Sequence, residues 1–215
     1  EKFWKELDER LELCFEAIMC RHYSLLGTIS DASPIHWQYG GIARLKPGEK
    51  IDDLLRGGYS TISLGYVGLY ELTKLMTGKS LATPEGHDFA LKILKKLKEN
   101  VDKWKTQTGV GFVLYATQSD KLCYRFARID KEMFGTINDI TDKGYYTNSY
   151  HIDRKEEIDV LQRLSYESDF QKISQGGGIS YIEIPDIEKN VDKIENIIKY
   201  IYENVQFAEF TSNIT

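Results

Sequence analysis

The chain has 215 residues, 41% of them hydrophobic, with 28 basic and 33 acidic side chains and a formal net charge of −5. This composition excludes disorder as the main state and favours one α/β domain with its own core. The acidic balance argues against binding nucleic acid through a broad basic surface, although it permits one nucleotide in a cleft. There is no apolar run long enough for a bilayer and no signal-peptide pattern, so we expect no membrane contact and a cytoplasmic location.

Residues 1–50 are predicted to form a helix and a long loop. Apolar residues recur at three- and four-residue steps from Trp4 to Ile18, which indicates an amphipathic helix over about residues 2–26. Glycine and proline then mark residues 27–50 as a loop, and loops of that length are usually functional or covered by a partner.

Residues 51–215 show strand and helix patterns in alternation. The predicted strands are 59–64, 111–117, 145–152, 178–184 and 205–210. The predicted helices are 67–76, 84–104, 119–134, 155–166 and 188–204. Alternation of this kind predicts a mostly parallel sheet with right-handed crossovers, open or closed into a barrel, within a single domain over residues 1–215.

The turn ATQSD, residues 116–120, joins a predicted strand to its helix. Ligands of α/β folds bind at such turns, where free backbone N–H groups and the positive end of the helix dipole attract phosphate. The hydroxyls of Thr117 and Ser119 would add donors. The alternative is ordinary capping of the helix by Ser119 and Asp120.

Two further segments are candidates for a binding site. In DKGYYTNSYH, residues 142–151, Asn148, Ser149 and His151 could face a pocket; the alternative is a polar edge strand with aromatic packing. The three glycines at 176–178 permit either close approach of a ligand or an unusual turn. Neither a GxGxxG motif nor a P-loop is present, which argues against a dinucleotide or ATP-hydrolase site.

The cysteines Cys14, Cys20 and Cys123 form no disulfide framework and no CxxC pair, which favours a reducing compartment and no metal site within the chain. Cys14 and Cys20 are six residues apart on a predicted helix and therefore point to different faces. Cys123 follows the ATQSD turn, where it is either a small core residue or a reactive thiol.

Several of these segments, taken together in their order and spacing, resemble the anaerobic (class III) ribonucleoside-triphosphate reductases, which are glycyl-radical enzymes. The segments that carry the resemblance are GGYSTISLGYVGLYE, FVLYATQSDKLCYRFARID, TDKGYYTNSYH and GGGISYIEIPD, flanked by LKPGEKIDDLL and NVQFAEFTSN. The resemblance covers almost the whole chain. It implies half of a ten-stranded α/β barrel preceded by a long amphipathic helix, as a central to C-terminal fragment of a larger catalytic barrel.

The resemblance implies the activity of the full-length family member, with the fragment alone inactive. That activity is the reduction of ribonucleoside triphosphates to deoxyribonucleotides for DNA synthesis, by an oxidoreductase that is a homodimer. It also implies a glycyl radical made by a partner activase with S-adenosylmethionine and an iron–sulfur cluster, a structural zinc, and ATP and deoxynucleotide effectors. The radical cysteine and glycine are expected outside this fragment, so no catalytic residue and no cofactor within it are assigned.

The resemblance also implies a substrate-binding set. Thr117 and Ser119 match the family's Thr-Pro-Ser/Ala-Glu turn, whereas Gln118 replaces proline and is expected to leave the turn freer, and Asp120 replaces glutamate. Thr147 belongs to the matching Thr-Asn-Ser segment. The predicted substrate-binding residues are Thr117, Ser119, Asp120, Asn148, Ser149, Gly177 and Gly178.

Two rival interpretations remain at this point. One is another glycyl-radical enzyme, such as a pyruvate formate-lyase-like protein, which would have no need of Thr117 and Ser119 at a helix start. The other is a stand-alone α/β nucleotide-binding module, which should be monodisperse and unfold cooperatively, whereas a half-barrel should expose strand edges and self-associate.

Overall fold

A computed structural model describes residues 1–183 and 191–211. The α-helices in this part of the chain are α1 (Lys2–Leu25), α2 (Pro34–Trp37), α3 (Leu69–Thr77), α4 (Pro84–Thr108), α5 (Asp120–Phe134), α6 (Val160–Ile173) and α7 (Val191–Asn204). The strands are β1 (Thr61–Tyr66), β2 (Gly111–Ala116), β3 (Ser180–Glu183) and β4 (Ala208–Thr211). The predicted α/β class with a long N-terminal helix is confirmed.

The chain forms two compact units, residues 1–64 with 99–113 and residues 65–98 with 114–215. Helix α4 contributes its first part to the second unit and its last part to the first. The strands β1 and β2 pair with each other, and they too are divided between the units. The assignment of residues 1–215 to a single domain stays a prediction.

An aromatic cluster joins α1, the end of α4 and β2 in the first unit. Phe15 of α1 lies 5.3 Å from Trp104 and 6.1 Å from Phe112, measured between ring centroids. Trp104 and Phe112 meet edge to face at 5.6 Å. Because Phe15 continues the apolar stripe of α1, this packing explains why the helix forms where the periodicity predicts it.

Residues 27–55 of the first unit are more ordered than the predicted loop. They contain two short 3-10 helices, Ser30–Ala32 and Asp52–Leu55, in addition to α2. An antiparallel bridge joins Ile29 to Lys50 and closes the segment on itself.

The second unit contains the parallel pair β3 and β4. Ser180 is in register with Ala208, and Ile182 with Phe210. Ile182 is buried with Leu164 of α6 and Ile197 of α7, so these two helices contribute to the hydrophobic core beside β3. The alternation along β3, with Ser180 and Ile182 buried and Tyr181 exposed, is typical of a strand with one covered face.

Two predicted elements are wrong. Residues 145–152 form no strand, because the backbone N–H of Thr147 donates to the Glu71 carboxylate and Ser149 has a φ of 39°. Helix α6 runs over Val160–Ile173 rather than 155–166, because the Asp159 carboxylate accepts a hydrogen bond from the N–H of Leu161 and begins the helix there.

Four predicted features fall partly outside the described residues. These are the end of the strand 178–184, the first residues of the helix 188–204, the last three residues of the segment GGGISYIEIPD, and the last two residues of the segment NVQFAEFTSN.

Candidate functional site

The candidate site lies within the second unit, where β2 ends and α5 begins. The glycine run is hydrogen-bonded to this end of β2: the N–H of Gly176 donates to Leu114 at 2.7 Å, and the N–H of Ala116 donates to Gly177 at 3.0 Å. The turn 116–120 and residues 176–178, which are 60 residues apart in the chain, are therefore brought together.

The side chain of Gln118 is held at both ends. Its Oε1 accepts from the Tyr181 hydroxyl at 2.6 Å, and its Nε2 lies 3.4 Å from the carbonyl oxygen of Ile179. These bonds restrain the Gln118 side chain, and the expectation that glutamine leaves the backbone of the turn freer than proline stays a prediction. Thr117 lies against Gly65 of β1, and a methyl group added at Gly65 would overlap the Thr117 hydroxyl.

Helix α5 begins without a side-chain cap from Ser119. Instead, the N–H of Ser119 donates to Asn148 Oδ1 at 2.9 Å, and Asn148 Nδ2 donates to Asp120 Oδ1 at 2.9 Å. The N–H groups of Leu122 and Cys123 both donate to the carbonyl of Ser119.

Two donors at the start of α5 have no partner in the part of the chain that the structure describes. The N–H groups of Asp120 and Lys121 have no acceptor among the described residues. Unsatisfied N–H groups at a helix start, together with the positive end of the dipole, form an environment that attracts anions.

Cys123 lies one turn into α5 and is 2% exposed. Its Sγ is 3.2 Å from Asn148 Oδ1. Burial, together with the negative charges of Asp120 and Glu71, raises the pKa of Cys123 to about 11. At neutral pH the side chain is therefore a thiol, which agrees with the core interpretation and not with a reactive thiolate.

The segment 143–153 is organised by a buried charge cluster, which consists of Glu71, Lys143 and Asp153. Lys143 Nζ lies 2.5 Å from Glu71 Oε1 and 2.5 Å from Asp153 Oδ2. The three side chains are only 3–5% exposed. Lys143 Nζ also lies about 5 Å from the ring centroids of Tyr70 and Tyr145, so aromatic faces surround the ammonium group.

The protonation states of Lys143 and Asp153 follow from this pairing. Burial by itself would lower the pKa of Lys143, but its hydrogen bonds and charge interactions with Asp153 and Glu71 outweigh burial and raise it. Burial would raise the pKa of Asp153, but the hydrogen bonds from Lys143 and from the N–H of Lys155, together with the charges of both lysines, outweigh that effect and lower it. Both groups are therefore charged at neutral pH.

Glu71 connects the buried charge cluster to Thr147. The Thr147 Oγ1 donates to Glu71 Oε2 at 2.7 Å, and its N–H lies 3.1 Å from both carboxylate oxygens. The Thr147 carbonyl in turn accepts from the N–H of Gly68, immediately before α3. These contacts hold the backbone beside Asn148, the next residue, whose side chain extends to α5.

Ser149 and His151 are turned inward. Ser149 is fully buried, and its hydroxyl is 3.2 Å from His151 Nδ1. The imidazole Nδ1 lies 2.9 Å from the carbonyl of Asn148, and Nε2 lies 2.8 Å from the carbonyl of Ile179. His151 therefore bridges the segment 143–153 to the residues that precede β3.

The glycines of the run have different surroundings. Gly177 has a φ of +117°, which other residues rarely adopt. At Gly178 a methyl group would lie 2.8 Å from the Tyr150 hydroxyl and 2.9 Å from Ala116 Cβ. Gly178 therefore permits close packing of the chain against itself.

A cavity of about 950 Å³ opens beside these residues. It is lined by Asp120, Cys123, Asn148, His151, Asp153 and Tyr181, among others. Of the predicted site residues, Asp120 and Asn148 therefore reach the cavity wall.

The buried charge cluster is the part of this region that sequence reasoning missed. Lys143 lies within the recognised segment TDKGYYTNSYH and Glu71 ends GGYSTISLGYVGLYE. The available signal was a glutamate at the end of an otherwise uncharged motif and a lysine within a motif of polar and aromatic residues, but their pairing over 72 positions is not visible in the chain.

Within residues 1–183 and 191–211, no group of three or more His, Cys, Asp or Glu side chains is arranged to hold a metal ion. The described residues therefore supply no ligand set for the structural zinc, which the resemblance implies only for the full-length protein. None of the helices in the same part of the chain is long and apolar enough to cross a membrane.

Comparison with known proteins decides the family. The family model for anaerobic ribonucleoside-triphosphate reductase matches residues 1–215. The chain belongs to this family. It is 39% identical over 208 residues to the anaerobic ribonucleoside-triphosphate reductase of Enterobacteria phage T4, covering 96% of this chain and 33% of that protein. It is 36% identical over 208 residues to the Escherichia coli reductase, covering 95% of this chain and 29% of that protein.

Solved structures agree on the fold. An anaerobic ribonucleotide reductase gives a TM-score of 0.73 at 21% identity, over 99% of this chain and 32% of that one. The Thermotoga maritima enzyme in complex with dATP and CTP gives 0.71 at 20% identity, over 98% of this chain and 33% of that one. The α/β fold of the reductases is confirmed, and the chain spans about a third of the length of these relatives. The family match does not support the pyruvate formate-lyase-like interpretation.

Proposed function

We propose that this chain forms part of an anaerobic ribonucleoside-triphosphate reductase and that the start of α5 binds the triphosphate of the ribonucleotide substrate. The observation that carries the proposal is the pair of N–H groups, of Asp120 and Lys121, that have no acceptor in the described structure. Asp120 also lines the cavity of about 950 Å³, which is large enough for a nucleotide.

The predicted substrate-binding residues have two roles in this proposal. The first group lies around the helix start: Thr117, Ser119, Asp120 and Asn148. Asp120 and Asn148 line the cavity and would face the phosphates, whereas Thr117 lies against Gly65 and would support the turn. The second group forms the wall behind them: Ser149, Gly177 and Gly178. Ser149 is fully buried and Gly178 packs against Tyr150, so both act through the shape of the site.

Asp120 is the unusual member of the site, because a carboxylate at a phosphate site repels the ligand. Its Oδ1 accepts from Asn148 Nδ2, which restrains the negative group. We propose that Asp120 contributes its backbone N–H to the phosphate and that its side chain is a modest hindrance.

The remaining features of the whole enzyme come from the family. We propose a glycyl radical, an activase that uses S-adenosylmethionine and an iron–sulfur cluster, a structural zinc, ATP and deoxynucleotide effectors, and a homodimeric enzyme. The radical groups and zinc ligands would be supplied from outside the described residues. The residues of this chain would bind and orient the substrate.

A pair of substitutions at one position tests the phosphate site. Asp120→Ala removes the carboxylate and retains the N–H, whereas Asp120→Pro removes both. Proline suits the first position of a helix, and Ser119 before it is already extended, with a φ of −156° and a ψ of 90°. Comparing the two variants therefore isolates the backbone donor.

The measurement is the affinity of the whole protein for CTP and for inorganic tripolyphosphate, by titration calorimetry. Asp120→Ala should bind both at least as tightly as the wild type. Asp120→Pro should bind both about tenfold more weakly than Asp120→Ala, as expected for losing one charge-assisted hydrogen bond. Equal affinities of the two variants would show that the start of α5 does not hold the phosphates.

A further inference from the structure

The segment 143–153 reaches the proposed phosphate site through one side chain, that of Asn148. Its amide accepts from Ser119 and donates to Asp120, so it fixes both the entry to α5 and the orientation of the acidic side chain there. The position of Asn148 depends in turn on what holds the segment.

The segment is held by charge and not by a β-ladder. Lys143 at its beginning and Asp153 at its end meet at 2.5 Å, so their ion pair closes the segment into a loop. Glu71 binds the same ammonium group and also accepts from the N–H and hydroxyl of Thr147, directly before Asn148. Lys143 therefore connects the two ends and the middle of the loop.

The conformation of the loop requires this support. Ser149 has a φ of 39°, a left-handed conformation that is unfavourable for a residue other than glycine. Such conformations persist where surrounding contacts determine them, and they are common at ligand sites. Ser149 directly follows Asn148, so loss of the support is expected to move Asn148 first.

We propose that Lys143 is a positioning residue for the phosphate site, acting through Glu71 and Asp153 to hold Asn148 against the first turn of α5. Without this support, Asn148 releases both the N–H of Ser119 and the carboxylate of Asp120. The freed carboxylate can then turn toward the unused N–H groups of Asp120 and Lys121 and compete with phosphate for them. The inference on ligand affinity rests on the proposed function, whereas the positioning of Asn148 does not.

The first test is hydrogen exchange in the whole protein without ligand. Lys143→Met should speed exchange in peptides that cover residues 117–123 as well as 143–153. Lys199→Met is the matched control, because Lys199 pairs with Glu195 at 3.2 Å on the surface, and exchange in residues 117–123 should not change. Unchanged exchange at 117–123 in a folded Lys143→Met protein would overturn the proposal.

The second test is a double-mutant cycle on binding of inorganic tripolyphosphate. Lys143→Met and Asn148→Ala should each weaken binding about tenfold, as expected for losing the hydrogen bonds that prepare the site. The double variant should be no weaker than Asn148→Ala alone. Independent effects that multiply to about a hundredfold would refute an action of Lys143 through Asn148.

A milder variant covers the case in which Lys143→Met does not fold. Asp153→Asn retains an acceptor for the N–H of Lys155 and leaves Lys143 paired with Glu71. It should speed exchange at 117–123 and weaken tripolyphosphate binding by about threefold. Unchanged exchange at 117–123 in Asp153→Asn would overturn the positioning role of Lys143. If the wild type does not bind tripolyphosphate, the phosphate site is refuted but the positioning of Asn148 is not.

Discussion

Gly178 gives the sharpest prediction about packing at the candidate site. In a Gly178→Ala variant, the new methyl group would lie 2.8 Å from the Tyr150 hydroxyl oxygen, 2.9 Å from Tyr150 Cε1 and 2.9 Å from Ala116 Cβ. Tyr150 and Ala116 are both 0% exposed, so neither can move aside into solvent. Each contact has to open by roughly half an ångström to reach an ordinary van der Waals distance.

The expected destabilisation is about 1–3 kcal/mol, the usual range for adding a methyl group to a well-packed core. In a protein of this size that range lowers the melting temperature by about 2–4 °C for each kcal/mol. The change is measured from urea unfolding midpoints and thermal scans of the variant and the wild type under the same conditions.

Gly41→Ala is the matched control, because a methyl group there meets nothing within 4 Å and the residue is exposed. It should leave stability unchanged or raise it slightly, since alanine restricts the unfolded chain. The double variant Gly178→Ala/Tyr150→Phe, which removes the closest atom, should recover part of the loss. A Gly178→Ala protein as stable as Gly41→Ala would refute the argument that Gly178 is required by internal packing.

Two further predictions follow from the pKa shifts. Because the pKa of Asp153 is lowered on folding, its ion pair should stabilise the protein above about pH 4 and lose that effect as the pH falls through the folded pKa. The stability difference between the wild type and Asp153→Asn should therefore be largest at neutral pH and shrink as the pH falls below about 4; a difference that does not change with pH would contradict this pairing. The pKa of Cys123 is raised to about 11 and its side chain is buried, so iodoacetamide at pH 8 should label the exposed Cys14 and Cys20 before Cys123. Peptide mass spectrometry measures the order of labelling. Faster labelling of Cys123 would refute the core assignment.

The regular elements were largely predictable because their signals are local. The apolar stripe of α1, the proline at the start of α4 and the apolar run of β2 each determine their element within a short stretch of sequence. The start of α6 was misplaced, although Asp159 is a local signal, because the charged residues 153–157 also fit the first turn of a helix. The hydrogen bond from Leu161 to Asp159 decides between them.

The segment 145–152 could not be predicted by the same means. Its alternation of aromatic and polar residues is typical of a strand, and the backbone N–H of Thr147 would then bond to a neighbouring strand. In the structure that N–H bonds to Glu71, which is 76 positions away. A buried carboxylate that accepts from three donor groups outweighs a weak local strand preference, and no pattern within the segment reveals it.

The resemblance to the reductases pointed to Asn148 without explaining why an amide is needed there. The side chain accepts from the Ser119 N–H and donates to the Asp120 carboxylate, both at 2.9 Å. An aspartate at this position would lose the donor and place a second negative charge beside Asp120, and a serine is too short to make both bonds. A glutamine has the right groups, but one more methylene would have to fit beside the buried Cys123, whose Sγ lies 3.2 Å from the same amide oxygen. The neighbours of Asn148 therefore require an asparagine even before any ligand is considered, and its effect on a bound phosphate follows from its hold on Asp120.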